Sequence, residues 1–458
     1  MPRSRHTGRS ASRGSTEKSG LKDDSEIARR REFVQSVATI VIWNIALPSS
    51  RGSEVNVDVA VLGVGAAGEV AALLLASQKG IDRLRIADVR KGRLEHVASR
   101  IDCPVEAVRA DFGKKEGLRK ACRGADVLLN ASIPMYNEAI MQESLRIGSH
   151  YLDLASEGSP DPKQPSRIHA QLRLDEEFRR IDRVAILGLG VAPGLTNLLT
   201  RLGTEPMDRI DAIRIRVYGS GYAHVSDHVF APLFSPETFL EEVLWPAPVW
   251  KDDHNEKLPP FSGEETFLFP EPIGPAICFN VNNEECETMP LILGKGVRFV
   301  DFKYAIAPPR KALLEALYRL GLTGREPIEV KGQKVVPLDV LLALLPDPSS
   351  LADRAEGYTC VVVEVEGLRE GRAVSARYWT CMSHADAYAR LGVQATAFLT
   401  GAPPAATVDA LLSGAIERRG VTTGGGLNPV PILRRAMALG VPLFEGPIGS
   451  AKGKKLVV

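Results

Sequence analysis

From residue 57 onward, short apolar runs alternate with amphipathic segments in a regular order. The apolar runs predict strands at residues 57–63, 83–89, 105–108, 125–132, 150–156 and 183–190. The segments between them predict helices at residues 66–78, 91–101, 114–122, 137–147 and 167–181. This alternation is typical of a parallel sheet covered by helices on both faces. We therefore expect a doubly wound α/β domain at residues 55–204.

The pattern changes after about residue 205. "RIDAIRIRVYG" alternates apolar and polar residues, as expected for a half-exposed antiparallel strand. Residues 358–382 predict a hairpin that turns near Glu370 and Gly371. We expect a second, α+β domain with a mostly antiparallel sheet at residues 205–385. The last residues, 386–458, predict a helical return that packs on the first domain.

The first 54 residues differ from the rest in being rich in Ser, Gly, Arg and Lys. They predict a disordered basic extension, because they contain little that can be buried. The apolar run at residues 33–47 resembles a signal peptide, but Gln35, Ser36 and Asn44 interrupt it. The run is also too short to span a bilayer. We expect a cytoplasmic protein without a membrane partner.

Overall composition narrows the choice of partner. Hydrophobic residues make up 44% of the 458 residues, charged residues 25%, and the net charge is +1. This is typical of a soluble globular protein and argues against a nucleic-acid surface. The 6 cysteines include no C-x-x-C pair, which argues against a metal site or a disulfide framework. A small molecule is the expected partner.

A glycine motif follows the first predicted strand and opens the first predicted helix. In "VLGVGAAG", Gly63 allows a tight turn, Gly65 lets the backbone approach a pyrophosphate, and Gly68 lets helix and strand pack closely. The diphosphate would lie on the free N–H groups of the helix N-terminus, beside Ala66 and Ala67. The motif predicts a Rossmann dinucleotide-binding domain.

Charged residues at the ends of the next two strands bear on the choice of cofactor. Asp88 lies about twenty residues beyond the motif, where a carboxylate meets the ribose hydroxyls of NAD. Arg90 and Lys91 could instead pair with the 2′-phosphate of NADP. We expect NAD, with NADP as the alternative. Asp111, after the third strand, is either close to the adenine or an N-cap of the next helix.

Three further segments follow predicted strands or contain glycine runs. Asn130, Ala131 and Ser132 end the fourth strand, at the edge where open α/β sheets bind ligands, and leave room for the ribose and nicotinamide. Residues 186–199, "ILGLGVAPGLTNLL", are expected to line the nicotinamide or a substrate carboxylate. Residues 422–429, "TTGGGLNP", have no predicted strand before them and are interpreted as a flexible loop, with anion binding as the alternative.

Four segments together resemble the saccharopine dehydrogenase family: "VLGVGAAG", "ADVLLNASIP", "GSHYLDLASE" and "GLGVAPGLTNLL". The resemblance covers residues 56–203 well and the later domain more loosely. It implies a Rossmann domain, a substrate domain that commonly mediates dimers, and hydride transfer at a carbon–nitrogen bond. One departure lies after Gly420-Val421, where many relatives carry a Pro-Glu pair and this chain has "TTGGG".

Candidate groups for proton transfer are few. Asp153 ends the fifth strand and could hold a substrate ammonium; a helix cap or a buried hydrogen-bond acceptor is the alternative. Tyr151 is expected to point to the opposite side and pack. His224 and His228, within residues 222–228, suit proton transfer on a substrate-facing loop. They would share one face of a helix and could hold zinc, but the glycines before them argue against a helix, so no metal is expected.

Charged residues of the second domain are interpreted more simply. Glu284, Glu285 and Glu287 are expected in a solvated loop. Arg298 and Lys303 are expected as exposed charges on an alternating strand, with carboxylate binding as the alternative.

The sequence thus predicts a homodimeric NAD(P)-dependent oxidoreductase acting on the CH–NH or CH–NH₂ group of an amino acid or its adduct, with lysine or saccharopine as the first guess. Two alternatives remain open. One is a redox-neutral transferase similar to homospermidine synthase that keeps NAD bound. The other is a dinucleotide-binding protein without catalysis.

Overall fold

The computed structural model describes residues 57–219, 221–225 and 228–458, without the side chains of residues 222–224. The predicted basic extension lies outside these residues. Two large sheets organise the described chain.

The first sheet has seven parallel strands in the order β19-β6-β5-β4-β1-β2-β3. Their bounds are β1 Val57–Leu62, β2 Ile81–Asp88, β3 Val105–Arg109, β4 Val127–Asn130, β5 His150–Asp153, β6 Val184–Leu187 and β19 Gly420–Thr423. Residues of β1, β4 and β6 are almost completely buried, because helices cover both faces of a parallel sheet. The doubly wound fold is confirmed.

Seven helices lie between these strands and after β6. They are α1 Ala66–Ala76, α2 Lys91–Ser99, α3 Lys115–Cys122, α4 Asn137–Ile147, α5 Ile168–Leu172, α6 Asp175–Arg180 and α7 Leu195–Thr204. The single helix predicted over residues 167–181 is divided into α5 and α6. Three acidic residues in the first turn of α6 explain why a new helix starts there, since carboxylates stabilise helix N-termini.

The second sheet is mixed and mostly antiparallel, as predicted. Its ten strands are β7 Arg209–Tyr218, β10 Ala247–Lys251, β11 His254–Leu258, β12 Glu265–Leu268, β13 Pro275–Asn280, β14 Phe299–Ala305, β17 Tyr358–Arg369, β18 Arg372–Ser383, β20 Phe444–Gly446 and β21 Lys454–Lys455. The hairpin of β17 and β18 turns at Glu370 and Gly371, with φ of 51° and 74°. Positive φ at both residues is typical of a type I′ turn.

The polar positions of the second sheet are not exposed as expected. Strand β7 is central, antiparallel to β17 and parallel to β14. Its Arg216 is buried, with two guanidinium nitrogens 2.8 Å from the carboxylate oxygens of Asp301. Lys303 is also buried, with its Nζ 3.0 Å from a carboxylate oxygen of Glu265. The prediction of an exposed Lys303 is wrong, because Glu265 on β12 pairs with it there, whereas Arg298 is exposed.

Smaller elements complete the described chain. They are the hairpins β8 Tyr222–Val225 with β9 His228–Pro232 and β15 Ile328–Val330 with β16 Gln333–Val335, and the helices α8 Pro236–Leu244, α9 Glu285–Leu293, α10 Pro308–Arg319, α11 Pro337–Leu344, α12 His384–Leu391, α13 Ala395–Leu412 and α14 Pro429–Ala438. In this part of the chain, no helix is long and apolar enough to cross a membrane.

The C-terminal segment adds strands to both sheets. Strand β19 pairs with β6, while β20 pairs with β18. The interpretation of residues 422–429 as a flexible loop without a preceding strand is therefore wrong. Gly424 and Gly425 are buried, and a Cβ at Gly424 would lie 3.2 Å from the Cβ of Asn197. The glycine run allows the chain to pack closely against α7.

Candidate active site

The glycine turn after β1 has the geometry of a dinucleotide cradle. Gly63 has a φ of +89°, and a Cβ at Gly68 would lie 2.0 Å from the carbonyl oxygen of Gly63. A Cβ at Gly65 would meet only one guanidinium nitrogen of Arg90, at 4.0 Å, so nothing in the described protein requires glycine there. Helix α1 begins at Ala66 without a side-chain cap, which leaves its N–H groups for phosphate oxygens. The turn fits a bound pyrophosphate.

Asp88 lies at the end of β2, beside this turn. One carboxylate oxygen accepts the N–H of Val64 at 3.0 Å. The other accepts the N–H of Arg90 at 2.9 Å and its Nε–H at 3.2 Å. Asp88 is buried, whereas Arg90 is exposed. The ribose contact of Asp88 and the phosphate contact of Arg90 stay predictions.

Asp111 forms a local turn. Its Oδ1 accepts the N–H of Gly113 at 3.0 Å, and helix α3 begins at Lys115 without a side-chain cap. The N-cap alternative is therefore not what the structure shows. The side chain is half-buried, and its contact with the adenine stays a prediction.

The loop after β4 is shaped by Asn130. Its Oδ1 accepts the N–H of Ser132 at 3.1 Å and the hydroxyl of Ser132 at 2.6 Å, while its Nδ2 donates to Asn137 at 2.8 Å. Ala131 and Ser132 stay half-buried at the carboxyl edge of the sheet. The neighbouring glycine turn approaches this loop so closely that a Cβ at Gly63 would lie 2.7 Å from the nitrogen of Ser132. Asn130 thus holds the loop in place beside the cradle.

Asp153 ends β5 and lies beneath this edge, 1% exposed. Its carboxylate accepts the N–H of Gly188 at 2.6 Å and the amide of Gln171 at 2.7 Å. Burial raises the pKa of Asp153 to about 7, although these hydrogen bonds oppose the rise. The structure thus shows the alternative of a buried acceptor, and direct contact with a substrate stays a prediction.

Tyr151 is also part of this arrangement. Its hydroxyl donates to Asp153 at 3.0 Å and accepts from the amide of Asn130 at 3.3 Å. The expectation that Tyr151 points away from Asp153 is wrong, because residues two apart in a strand lie on the same face. The alternation of side chains along β5 was sufficient to find this contact. Tyr151 links the ends of β4 and β5.

The glutamates around the start of α9 are buried, not solvated. Glu284 accepts the N–H of Ser156 at 2.7 Å, and Glu285 accepts the hydroxyl of Thr196 at 2.6 Å. Glu284 and Glu285 are 8% and 0% exposed. The expectation of a solvated loop is wrong, because Glu284 bonds to the loop that follows β5 and Glu285 bonds to the first turn of α7. No pattern in "NNEECETMP" separates such a buried acidic turn from an exposed one.

Burial has a strong effect on these acids. It raises the pKa of Glu284 to about 7, and the charge of Asp153 adds to the rise. It raises the pKa of Glu285 to about 8. Glu242 on α8 is half-buried as a residue, but burial of its carboxyl raises its pKa well above the usual value, although it accepts the hydroxyl of Tyr304 at 2.6 Å. We call Asp153, Glu242, Glu284 and Glu285 the carboxyl network.

The carboxyl network lacks a compensating cation. No Lys, Arg or His of the described residues forms an ion pair with any of its four members. The nearby basic groups are paired with other acids. Lys257 contacts Glu287 at 2.6 Å and His169 contacts the same carboxylate at 2.9 Å. Any negative charge that these acids carry is therefore not balanced by a basic side chain of the described residues.

The two candidate histidines lie on the hairpin of β8 and β9. The side chain of His224 lies outside the described residues, and His228 is half-buried. Apolar residues of this hairpin, including Val225 and Leu233, cluster with Leu351. Within residues 57–219, 221–225 and 228–458, no three His, Cys, Asp or Glu side chains are grouped for a metal ion. A proton-transfer role for either histidine stays a prediction.

Comparison with known proteins assigns the family. The model of the saccharopine dehydrogenase C-terminal domain matches residues 190–438, and that of the saccharopine dehydrogenase NADP binding domain matches residues 59–186. The chain belongs to the saccharopine dehydrogenase family. Residues 59–186 therefore form a nicotinamide dinucleotide binding domain, and this family member is an NAD(P)-dependent oxidoreductase.

Individual relatives and one solved structure agree with this assignment. Carboxyaminopropylagmatine dehydrogenase of Synechocystis is 27% identical over 399 residues, which cover 84% of this chain and 97% of that protein. Carboxynorspermidine synthase of Vibrio cholerae is 28% identical over 326 residues, covering 69% and 76%. The apo saccharopine dehydrogenase of Saccharomyces cerevisiae matches with a TM-score of 0.59 at 14% identity, covering 86% of this chain and 100% of that chain. The last similarity supports the fold.

Proposed function

We propose that this family member acts on the carbon–nitrogen bond of a polycationic amine that carries a carboxyalkyl arm, such as a carboxylated polyamine or agmatine adduct. The relatives named after carboxyaminopropylagmatine and carboxynorspermidine support this substrate class. When bound, the nicotinamide exchanges a hydride with the substrate carbon of that bond.

The observation that carries the proposal is the uncompensated carboxyl network. Four acids lie beneath the carboxyl edge, and their raised pKa values reflect the cost of holding negative charge in a buried place. A substrate with several ammonium or guanidinium groups would supply the missing positive charge. Lysine carries fewer cationic nitrogens than these adducts, and saccharopine carries more carboxylates for each nitrogen. Both would therefore gain less from pairing with these acids.

The chain's own residues would divide the work as follows. The turn at Gly65 and the N-terminus of α1 bind the diphosphate, and the loop held by Asn130 positions the ring beside the substrate. Asp153 and Glu284, with pKa values near 7, can take up the proton that the substrate amine must lose before it is oxidised.

The test is the absorbance of reduced nicotinamide with purified protein. Carboxyaminopropylagmatine, carboxynorspermidine, saccharopine and lysine are each supplied with NAD and with NADP. We expect a kcat/KM at least about tenfold higher for one of the two polycationic adducts than for saccharopine or lysine. A preference for lysine or saccharopine would contradict the proposed substrate class.

The same assay separates the other functions. Transfer of an aminoalkyl group seen by mass spectrometry, without net production of reduced cofactor, would indicate a redox-neutral transferase instead. Cofactor binding without any turnover would indicate a non-catalytic protein. A cytoplasmic homodimer that prefers NAD is also part of the proposal, and light scattering of the purified protein measures its mass directly.

A further inference from the structure

The adenosine corner of the cofactor site contains a residue from outside the first domain. We define this corner by Val64, Gly65, Asp88, Arg90 and Asp347. The Nη1 of Arg90 lies 3.0 Å from a carboxylate oxygen of Asp347, and its Nε lies 3.2 Å from Asp88. The other terminal nitrogen of Arg90 is the nearest atom to the position of a Cβ at Gly65. Arg90 therefore lies over the glycine turn, between two carboxylates.

Asp347 is held firmly although it lies on a connecting segment. It precedes the short helix Pro348–Leu351, and its Oδ1 accepts the N–H of Ser349 at 2.8 Å and the hydroxyl of Ser349 at 2.7 Å. Leu351, at the end of that helix, is completely buried. Partial burial raises the pKa of Asp347, but the bonds from Ser349 and the charge of Arg90 hold it below its usual value. The carboxylate stays ionised at neutral pH.

The charges at this corner treat the two cofactors differently. A 2′-phosphate that paired with Arg90 would compete with Asp88 and Asp347 for its guanidinium and would lie close to Asp347, with which it shares its sign. The 2′-hydroxyl of NAD carries no charge and can donate a hydrogen bond to a carboxylate. The charge of Asp347 therefore weakens the binding of NADP more than it strengthens the binding of NAD.

We propose that Asp347 is a specificity-determining residue that disfavours the 2′-phosphate and thereby selects NAD over NADP. This selection involves the dinucleotide site alone and does not depend on which amine is oxidised. A residue far from the glycine motif in sequence thus decides a property usually ascribed to the end of β2.

The experiment is calorimetric titration of the full-length protein with NAD, NADP, 5′-AMP and 2′,5′-ADP. Wild-type protein is expected to bind NAD and 5′-AMP more tightly than their 2′-phosphorylated counterparts. In Asp347→Asn, we expect the ratio of the Kd for NADP to the Kd for NAD to fall by about tenfold, mainly through tighter binding of NADP. The effect is limited because Arg90 and Asp347 are each about half exposed.

Asp353→Asn is the matched control. Asp353 is exposed, belongs to the same segment, and carries the same charge. Its substitution is expected to leave the ratio within about twofold of wild type, since long-range charge effects are screened. A ratio in Asp347→Asn equal to that of the control would overturn the proposal, as would a wild-type preference for NADP. These titrations need no amine. Their result can therefore be interpreted even if the proposed substrates prove wrong.

Discussion

At the scale of single residues, the glycines of the motif serve two different purposes: close packing of the protein and space for a ligand. Gly68 is required by the protein itself, because a Cβ there would lie 2.0 Å from the carbonyl oxygen of Gly63. Gly65 has an ordinary φ of −64° and open space beside it. The motif predicted the packing role of Gly68 from spacing alone, whereas the contact of Gly65 with a pyrophosphate stays a prediction. The motif could not predict Glu285, whose role depends on neighbours distant in sequence, whereas the contact of Tyr151 with Asp153 follows from the alternation of side chains along β5.

The two glycines therefore give a matched pair of substitutions. Gly65→Ala should fold with an unchanged melting temperature but bind NAD about tenfold more weakly, because the methyl group occupies the space of the pyrophosphate. Gly68→Ala should lower the free energy of unfolding by about 1–3 kcal/mol, because helix and strand must separate. Calorimetric titration and thermal melts measure these effects. Equal losses of stability in both variants would contradict the assignment of Gly65 to the ligand.

At the scale of elements, the first sheet was predictable and the surroundings of α9 were not. Apolar runs alternating with amphipathic segments specify a parallel sheet almost strand by strand. By contrast, the start of α9 is buried through contacts with the loop after β5 and the first turn of α7, which lie more than eighty residues away along the chain. Strand β19 was not predicted for a similar reason. Its polar residues Thr422 and Thr423 are buried because the strand pairs with β6, which is distant in sequence.

Glu287 connects α9 with β11 and α5, so its substitution should change the free energy of unfolding. It contacts Lys257 at 2.6 Å and His169 at 2.9 Å, and it accepts the hydroxyl of Ser166 at 2.8 Å. Burial alone would raise its pKa, but these partners lower it to about 2. Because the folded pKa is depressed, the stabilisation is present above the unfolded value of 4.5 and is lost as the pH falls towards about 2.

Glu287→Gln should therefore destabilise the protein by about 2 kcal/mol at pH 7. The difference in free energy of unfolding between this variant and wild type should become smaller as the pH is lowered from about 4.5 towards 2. Denaturant unfolding at a series of pH values measures it. Glu329→Gln is the control, because Glu329 is exposed on β15 and is expected to have little effect. A difference that does not vary with pH would show that the ion pairs are not the cause.

At the scale of the whole molecule, charge is distributed unevenly although the chain is nearly neutral. A net charge of +1 conceals four acids without ion pairs to the described residues, of which Asp153, Glu284 and Glu285 are buried and Glu242 is half-buried. Composition excludes a large basic surface but says nothing about such an internal imbalance. Only the fold reveals it, because Glu242, Asp153 and Glu285 come from three separate elements.

This imbalance predicts that binding of a polycationic amine releases protons. Asp153 and Glu284 with pKa values of about 7, and Glu285 with about 8, are partly protonated at pH 7.5. A bound cation lowers the pKa of each, so protons must leave as the amine binds. The number of released protons is measured by calorimetry. Carboxynorspermidine is titrated into the protein saturated with NADH, in buffers of different ionisation enthalpy. Glu285→Gln should release fewer protons and raise the Kd of the amine about tenfold without changing the Kd of NADH. Binding without proton release in the wild type would mean that the substrate does not sense the carboxyl network.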